Sequence, residues 1–477
     1  MAELHPENRP QYLSQHQELL PPPRIVVVLT VGGFIALITG ILISIFIFRN
    51  VLRPGQQQRV IDLLPGMTAF LPQNSGSGVA LPTPLPTYAT AISNIGLLYS
   101  DLTPLATTAT QIVITPITEL TTTPIPSLTT VAIADTPISM TIVASVIETP
   151  ISLTPTATQI PPSAHLYGFD YVQQTWNNCG PATITMGLSY FGWEESQEFA
   201  ASFLKPDDED KNVTPREMVA FVNEQSGIRA ITRMGGNLEL LKLLINNGFP
   251  VIISIGFMPE GYDWLGHYRA IVGYDDYRQV LYAYDSFLGM GENGAGIAVS
   301  YSEIDRDWQQ FNRNFIVLFQ ERDEDRLNAL LGERADPMLA AEIALQIAQN
   351  ESRSDPQNGF LWFNMGTALT SLERYEEAAL AFDQSRRFTL PWRMMWYQFA
   401  PYEAYFNVGR YDDVSSLVSA NLNNGGRYIE ETYYWQGRVY AAQDKVEDAR
   451  RSFNQALQIN PLYTLAKEAL DELGSES

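Results

Sequence analysis

The strongest hydropathic feature of the chain is an apolar run from Ile25 to Phe48, without a charge and flanked by Arg24 and Arg49. At about 1.5 Å per residue such a run crosses a hydrocarbon core of about 30 Å, which predicts a membrane-spanning helix over 24–49 after a short tail, 1–23. Val51-Leu-Arg-Pro-Gly55 offers no small-residue cleavage site and the run is too long for a signal-peptide core, so an uncleaved signal anchor is expected. Beyond it the pattern loses its periodicity. Leu81 to Pro162 is dense in Thr, Pro, Ala and Ile, and no Lys or Arg occurs between Arg59 and Lys205. That composition predicts a disordered, extended stalk over 50–163, able at ~3.1 Å per residue to hold a domain on the order of 200 Å from the bilayer.

Periodicity returns after residue 163. Ile184, Leu188 and Phe191 fall at i, i+4 and i+7 and predict a helix that opens at Cys179-Gly-Pro-Ala182. Thr214-Pro-Arg-Glu217 is a capping box with proline at the first helical position, leading into Met218, Phe221 and Val222. Gly248-Phe-Pro-Val-Ile-Ile-Ser-Ile-Gly256 reads as a buried strand that pairs with a second one, His267 to Asp276. A third, Val280 to Tyr284, follows after a polar turn and ends at Asp285-Ser286. The run Lys205-Pro-Asp-Asp-Glu-Asp-Lys211 lacks the spaced, glycine-containing pattern of a calcium loop and is expected to be a solvated loop.

The C-terminal third repeats. Trp362 and Tyr433, Gly366 and Gly437, Leu369 and Tyr440, Ala378 and Ala449, and Phe382 and Phe453 occupy equivalent positions of a tetratricopeptide pattern, and Pro461 closes the last copy. Tyr402 to Asn421 makes a degenerate middle copy, and Asp336 to Asn350 adds a preceding helix. An all-α solenoid over 323–473 is expected, with a protein partner as its ligand or a spacer role as the alternative.

Composition narrows the function. With 53 acidic against 30 basic residues the formal charge is −23, which disfavours nucleic acid as a partner. A single cysteine permits no internal disulfide. That cysteine, Cys179, lies in Gln174-Thr-Trp-Asn-Asn-Cys-Gly-Pro-Ala182 at a predicted helix mouth, where the helix dipole favours a thiolate. Of the four histidines only His267 lies within a foldable strand, and Asp285 ends the neighbouring one, giving the chain order Cys, His, Asp. Asp263, Asp275 and Asp276 are nearby alternatives to Asp285.

This pattern resembles the papain-like cysteine peptidases, most closely cysteine peptidase family thirty-nine, the bacteriocin-processing double-glycine peptidases and their stand-alone relatives, over roughly 165–320. The resemblance implies an α+β papain-like peptidase domain over 164–322. Cys179 is then the nucleophile, His267 the general base and acid, and Asp285 the carboxylate that orients the imidazole. An upstream glutamine serves as oxyanion donor, either Gln174 or Gln173, with Gln174 preferred. No cofactor or metal is implied. Asn178 stands where transporter-linked members carry Asp, and no phosphate-binding G-x-x-x-x-G-K-[ST] loop occurs, so leader-peptide specificity is not carried over. The expectation is a multidomain, membrane-anchored bacterial thiol protease. Its peptidase and repeat domains are placed outside the cell because of the stalk, although Arg49, Arg53 and Arg59 against Arg9 and Arg24 slightly favour the opposite orientation. An amidase, deamidase or transglutaminase using the same residues, or a repeat scaffold with a relic peptidase domain, are the alternatives.

Overall fold

The computed structural model describes residues 24–70, 80–84, 96, 98–99, 160–259 and 263–475. The tail 1–23 and most of the expected stalk lie outside them. Helix α1 (Arg24–Asn50) contains the apolar stretch Val31–Asn50, long enough to cross a hydrocarbon core. From Val31 on its side chains are almost all exposed.

Next comes a short helix, α2 (Pro54–Leu63), in a stretch whose composition predicts an unstructured stalk. Proline at its start and the Arg53/Gln56 capping contacts favour it locally, and long-range contacts fix it. Arg53 makes a bidentate ion pair with Asp207 at 2.6 Å, and the Gly55 N–H donates to Glu209 Oε1 at 2.6 Å. The folded body therefore touches the chain just past the end of α1. A stalk holding it on the order of 200 Å away does not describe this arrangement.

A seven-stranded antiparallel sheet forms the middle of the chain. Its strands are β1 (Ser163–His165), β2 (Arg229–Arg233), β3 (Val251–Phe257), β4 (Leu265–Asp275), β5 (Val280–Tyr284), β6 (Ile297–Ser300) and β7 (Phe315–Phe319). They run in the order β2-β7-β3-β4-β5-β6, with β1 added to the far end of β4. Helices α3 (Cys179–Ser189), α4 (Gln197–Leu204) and α5 (Pro215–Gln225) cover one face, packing Ile184, Leu188 and Phe221 on Ile252, Ala270 and Ile316. On the other face α6 (Leu238–Asn246), α7 (Tyr301–Gln309) and α8 (Glu324–Leu331) pack Leu241, Trp308 and Leu327 on Ile253, Ile271 and Val317. Successive strand residues thus enter opposite cores, which is why β3 is buried throughout and apolar but for Ser254, instead of alternating. Phe191, expected on the α3 stripe, lies beyond the helix and only flanks the core.

The rest is helical: α9 (Pro337–Ser354), α10 (Gly359–Ser371), α11 (Tyr375–Ser385), α12 (Ala400–Asn407), α13 (Tyr411–Asn423), α14 (Glu430–Ala442), α15 (Val446–Ile459) and α16 (Thr464–Ser475). The repeat positions acquire a physical meaning in α10–α11 and α14–α15. A Cβ on Gly366 would lie 2.7 Å from the Phe382 ring, and one on Gly437 would lie 2.5 Å from Phe453, so the small residue lets the bulky one of the next helix close the hairpin. Buried Arg410 and Arg386 neutralise Asp383 and Asp413 across α11–α13.

The helical region packs directly on the sheet. Trp264, at the entry to β4, stacks on Phe311 at 5.8 Å and meets Phe360 and Tyr397 from the helical side. The 205–211 segment is not a solvated loop: Lys205, Glu209 and Asp210 are buried, because α2 covers the segment and Trp396 of the helical region packs on Lys211.

Candidate active site

Cys179 is the first residue of α3, half-buried, with Asn178 at the cap position. The turn before it is forced by Asn177 in the left-handed region (φ 56°), and Asn178 Nδ2 donates to Thr175 Oγ1 at 2.8 Å. The sulfur is thus carried at the positive end of the helix dipole.

β4 and β5 are adjacent and antiparallel, so the strand carrying His267 runs beside the strand that ends at Asp285. The two side chains meet: His267 Nε2 and Asp285 Oδ1 are 2.9 Å apart, both residues buried. Asp285 is held by its own turn, in which Phe287 and Leu288 N–H each donate to Oδ1 at 2.9 Å and the backbone closes on Gly289. Asp263, Asp275 and Asp276 go elsewhere. Asp263 pairs with Arg393, Asp275 caps the β4–β5 turn and Asp276 takes Lys242 and Tyr301.

With Nε2 given to Asp285, Nδ1 is the nitrogen left to face Cys179, whose sulfur acts on the imidazole. Burial pulls the imidazole pKa down, but the Asp285 carboxylate and the sulfur outweigh it and raise it to about 9. Burial pushes the Asp285 carboxyl up, yet the facing charges of His267 and Arg269 hold it well below the usual carboxylate range.

Several contributors carry no motif that marks them in the sequence. Arg269 donates from Nε to Asp285 Oδ2 at 2.8 Å. It stands two residues after His267 on one strand, so the strand period alone puts it on the same face. Phe257 stacks on His267 at 4.9 Å with 25° between planes, and the Arg269 guanidinium lies over the same ring at 5.6 Å. That contact depends on the β3–β4 register, which no local pattern reveals. Tyr397 reaches in from the helical region: a Cβ on Gly266 would sit 2.7 Å from its ring, so a glycine before His267 is what admits it.

The two glutamines have different surroundings. Gln174 N–H donates to the Ser286 carbonyl at 3.0 Å and Ser286 Oγ donates to Gln174 Oε1 at 2.8 Å, a two-point clasp beside Asp285. Gln173 is exposed; its Oε1 accepts from Tyr171 and its Nε2 faces the Phe287 carbonyl at 3.5 Å. Among the described residues no three His, Cys, Asp or Glu side chains converge as metal ligands.

Comparison with known proteins places this region. The Peptidase_C39 like family matches residues 167–314, and the tetratricopeptide repeat matches residues 430–463. Similar solved structures include a protein from Bacillus anthracis described as a C39-like peptidase, at 16% identity and TM-score 0.28. That match covers 33% of this chain and 98% of the other. A double glycine motif protease from an AMS/PCAT transporter, solved with its leader peptide, matches at 17% identity and TM-score 0.25, over 33% of this chain and 94% of its own. No curated protein matches. The chain therefore carries a Peptidase_C39-like domain at 167–314 and a tetratricopeptide repeat at 430–463.

Proposed function

We propose that this chain is a membrane-anchored cysteine peptidase that hydrolyses polypeptides outside the cell, with a solenoid of helical repeats docked on a papain-like domain. The observation that carries the chemistry is the buried His267–Asp285 pair beside a cysteine at a helix N-terminus. Cys179 attacks the carbonyl carbon as thiolate, and Gln174 Nε2, its carbonyl end held by Ser286, donates to the developing oxyanion. His267 then gives its proton to the leaving nitrogen as the C–N bond breaks, leaving a thioester on Cys179. Water loses a proton to His267 and attacks the thioester; the C–S bond breaks and the acid product and thiolate are released. Asp285 keeps the imidazole in the orientation that presents Nδ1, and Arg269 keeps Asp285 ionised.

Placement outside the cell rests on the absence of Lys and Arg between Arg59 and Lys205, on the C-terminal side of α1. The test of the chemistry is hydrolysis of a diverse peptide library by the solubilised chain beside Cys179→Ala. Cleavage lost in the variant is expected; no cleavage by the unaltered chain, with Cys179 labelled by alkylating agents only after denaturation, refutes the peptidase reading. Protease shaving of intact cells should release the body, whereas full protection reverses the orientation.

A further inference from the structure

The helical region holds a piece of this chain that precedes the sheet by some eighty residues. Ala80 forms an antiparallel bridge with Pro391, and Leu81 N–H donates to the Leu390 carbonyl at 3.4 Å. The next two carbonyls are taken by one side chain: Arg386 Nε donates to Pro82 O at 2.7 Å and Nη2 to Thr83 O at 3.2 Å. Arg386 is fixed from behind by Asp413 at 2.8 Å, a contact independent of residues 80–83. Leu81 is the anchor. It is 4% exposed and belongs to the same apolar core as Leu390, Met394 and Tyr405, while Thr83 stays in solvent.

This is recognition of an extended strand by its backbone plus one apolar side chain. A proline after the anchor suits it, because proline has no N–H to satisfy and Arg386 offers only donors. We propose that the surface formed by Arg386, Leu390 and Pro391 is a binding site for an extended Ala-Leu-Pro-Thr segment, occupied in this chain by residues 80–83. The chain carries a second copy of the anchor triplet, Leu85-Pro86-Thr87, four residues on. The ligand class is thus an extended peptide with leucine followed by proline and threonine. Any such peptide from another molecule competes with an occupant that belongs to the same chain.

The site is tested in a Cys179→Ala background, so that peptide cleavage plays no part and the outcome is independent of the proposed chemistry. Residues 80–83 and 85–87 are replaced by Gly and Ser in the full chain, and binding of fluorescein-labelled Ala-Leu-Pro-Thr-Pro is followed by anisotropy in detergent. The emptied chain should bind the peptide at least tenfold more tightly than the chain with its own segment in place, and Ala-Asp-Pro-Thr-Pro should bind neither. Equal binding to both chains, no binding to the emptied chain, or equal binding of the aspartate peptide overturns the proposal. Should the emptied chain not fold, Leu81→Asp alone is compared by amide exchange. Loss of protection at Leu81 with the helices unchanged supports the site, and unchanged protection at Leu81 overturns it.

Discussion

Replacing Asp285 by Asn removes one charge and no volume, and the surrounding hydrogen bonds set its cost. Oδ1 accepts three donors, His267 Nε2 and the Phe287 and Leu288 N–H groups, while Oδ2 accepts the Arg269 Nε–H. An amide that keeps its oxygen at the Oδ1 position turns its NH2 group toward Arg269, donor against donor, and leaves a guanidinium that is 3% exposed without its anion. Turned the other way, the NH2 group opposes three donors. Breaking a buried pair on one side costs about 3–5 kcal/mol. The imidazole also loses the charge that lifts its pKa to about 9, and burial alone then favours its neutral form. A rise from 6.5 to about 9 corresponds to roughly 3 kcal/mol of extra proton affinity. Because the folded value lies above the unfolded one, that stabilisation is complete below about pH 6.5 and is lost as pH rises through about 9. Asp285 has the opposite sign: its contribution is present above the usual carboxylate range and is lost only in strong acid. Asp285→Asn should therefore lower urea stability at pH 6 by about 3–5 kcal/mol. It should also remove most of the stability decline between pH 6.5 and 9 and slow alkylation of Cys179 by iodoacetamide at neutral pH. A variant within about 1 kcal/mol of the unaltered chain and with the same pH profile would mean that neither buried charge depends on Asp285, contrary to the contacts above.

Other outcomes rest on the same contacts. Turnover should fall on an alkaline limb near pH 9 as His267 loses the proton it gives to the leaving amine; a limb near 6.5 would contradict the Asp285 pairing. Gly266→Ala places a methyl group 2.7 Å from the Tyr397 ring and 2.9 Å from Phe311, and should cost about 1–3 kcal/mol in a thermal melt together with reduced turnover. Ser286→Ala frees the carbonyl end of Gln174 and should lower kcat more than it raises KM; Gln174→Ala should do so more strongly, and a larger loss in Gln173→Ala would move the oxyanion role to that residue. Burial lifts the Asp210 carboxyl to about 7, so its contribution to stability falls as pH rises from the usual carboxylate range through about 7, and Asp210→Asn should shrink the difference in melting temperature between pH 5 and pH 8.

Features that depend on neighbours along the chain were legible in the sequence. The helix mouth at Cys179, the Thr214–Glu217 capping box, the β4–β5 hairpin and the Gly366/Phe382 spacing each express a local period or turn. Asp285 stood out from Asp275 and Asp276 only by its place at the end of β5. Arg269 was within reach of the same alternation but carries no motif. Phe257 and Tyr397 were not, because one depends on strand register and the other on a contact between the sheet and the helical region. The Thr/Pro-rich stretch misled most. Its composition cannot form a core by itself, yet Leu81 and Leu98 find partners more than two hundred residues away.

The proposed reaction depends on Cys179 acting as a nucleophile paired with His267. Mass spectrometry of the chain after mixing with a peptide ester at pH 5 and rapid quenching tests it directly. An acyl adduct should appear on Cys179 that hydroxylamine removes, absent in Cys179→Ala and much reduced in His267→Ala. A chain that cleaves the ester without an adduct on Cys179, or an adduct that forms equally well in His267→Ala, would contradict it.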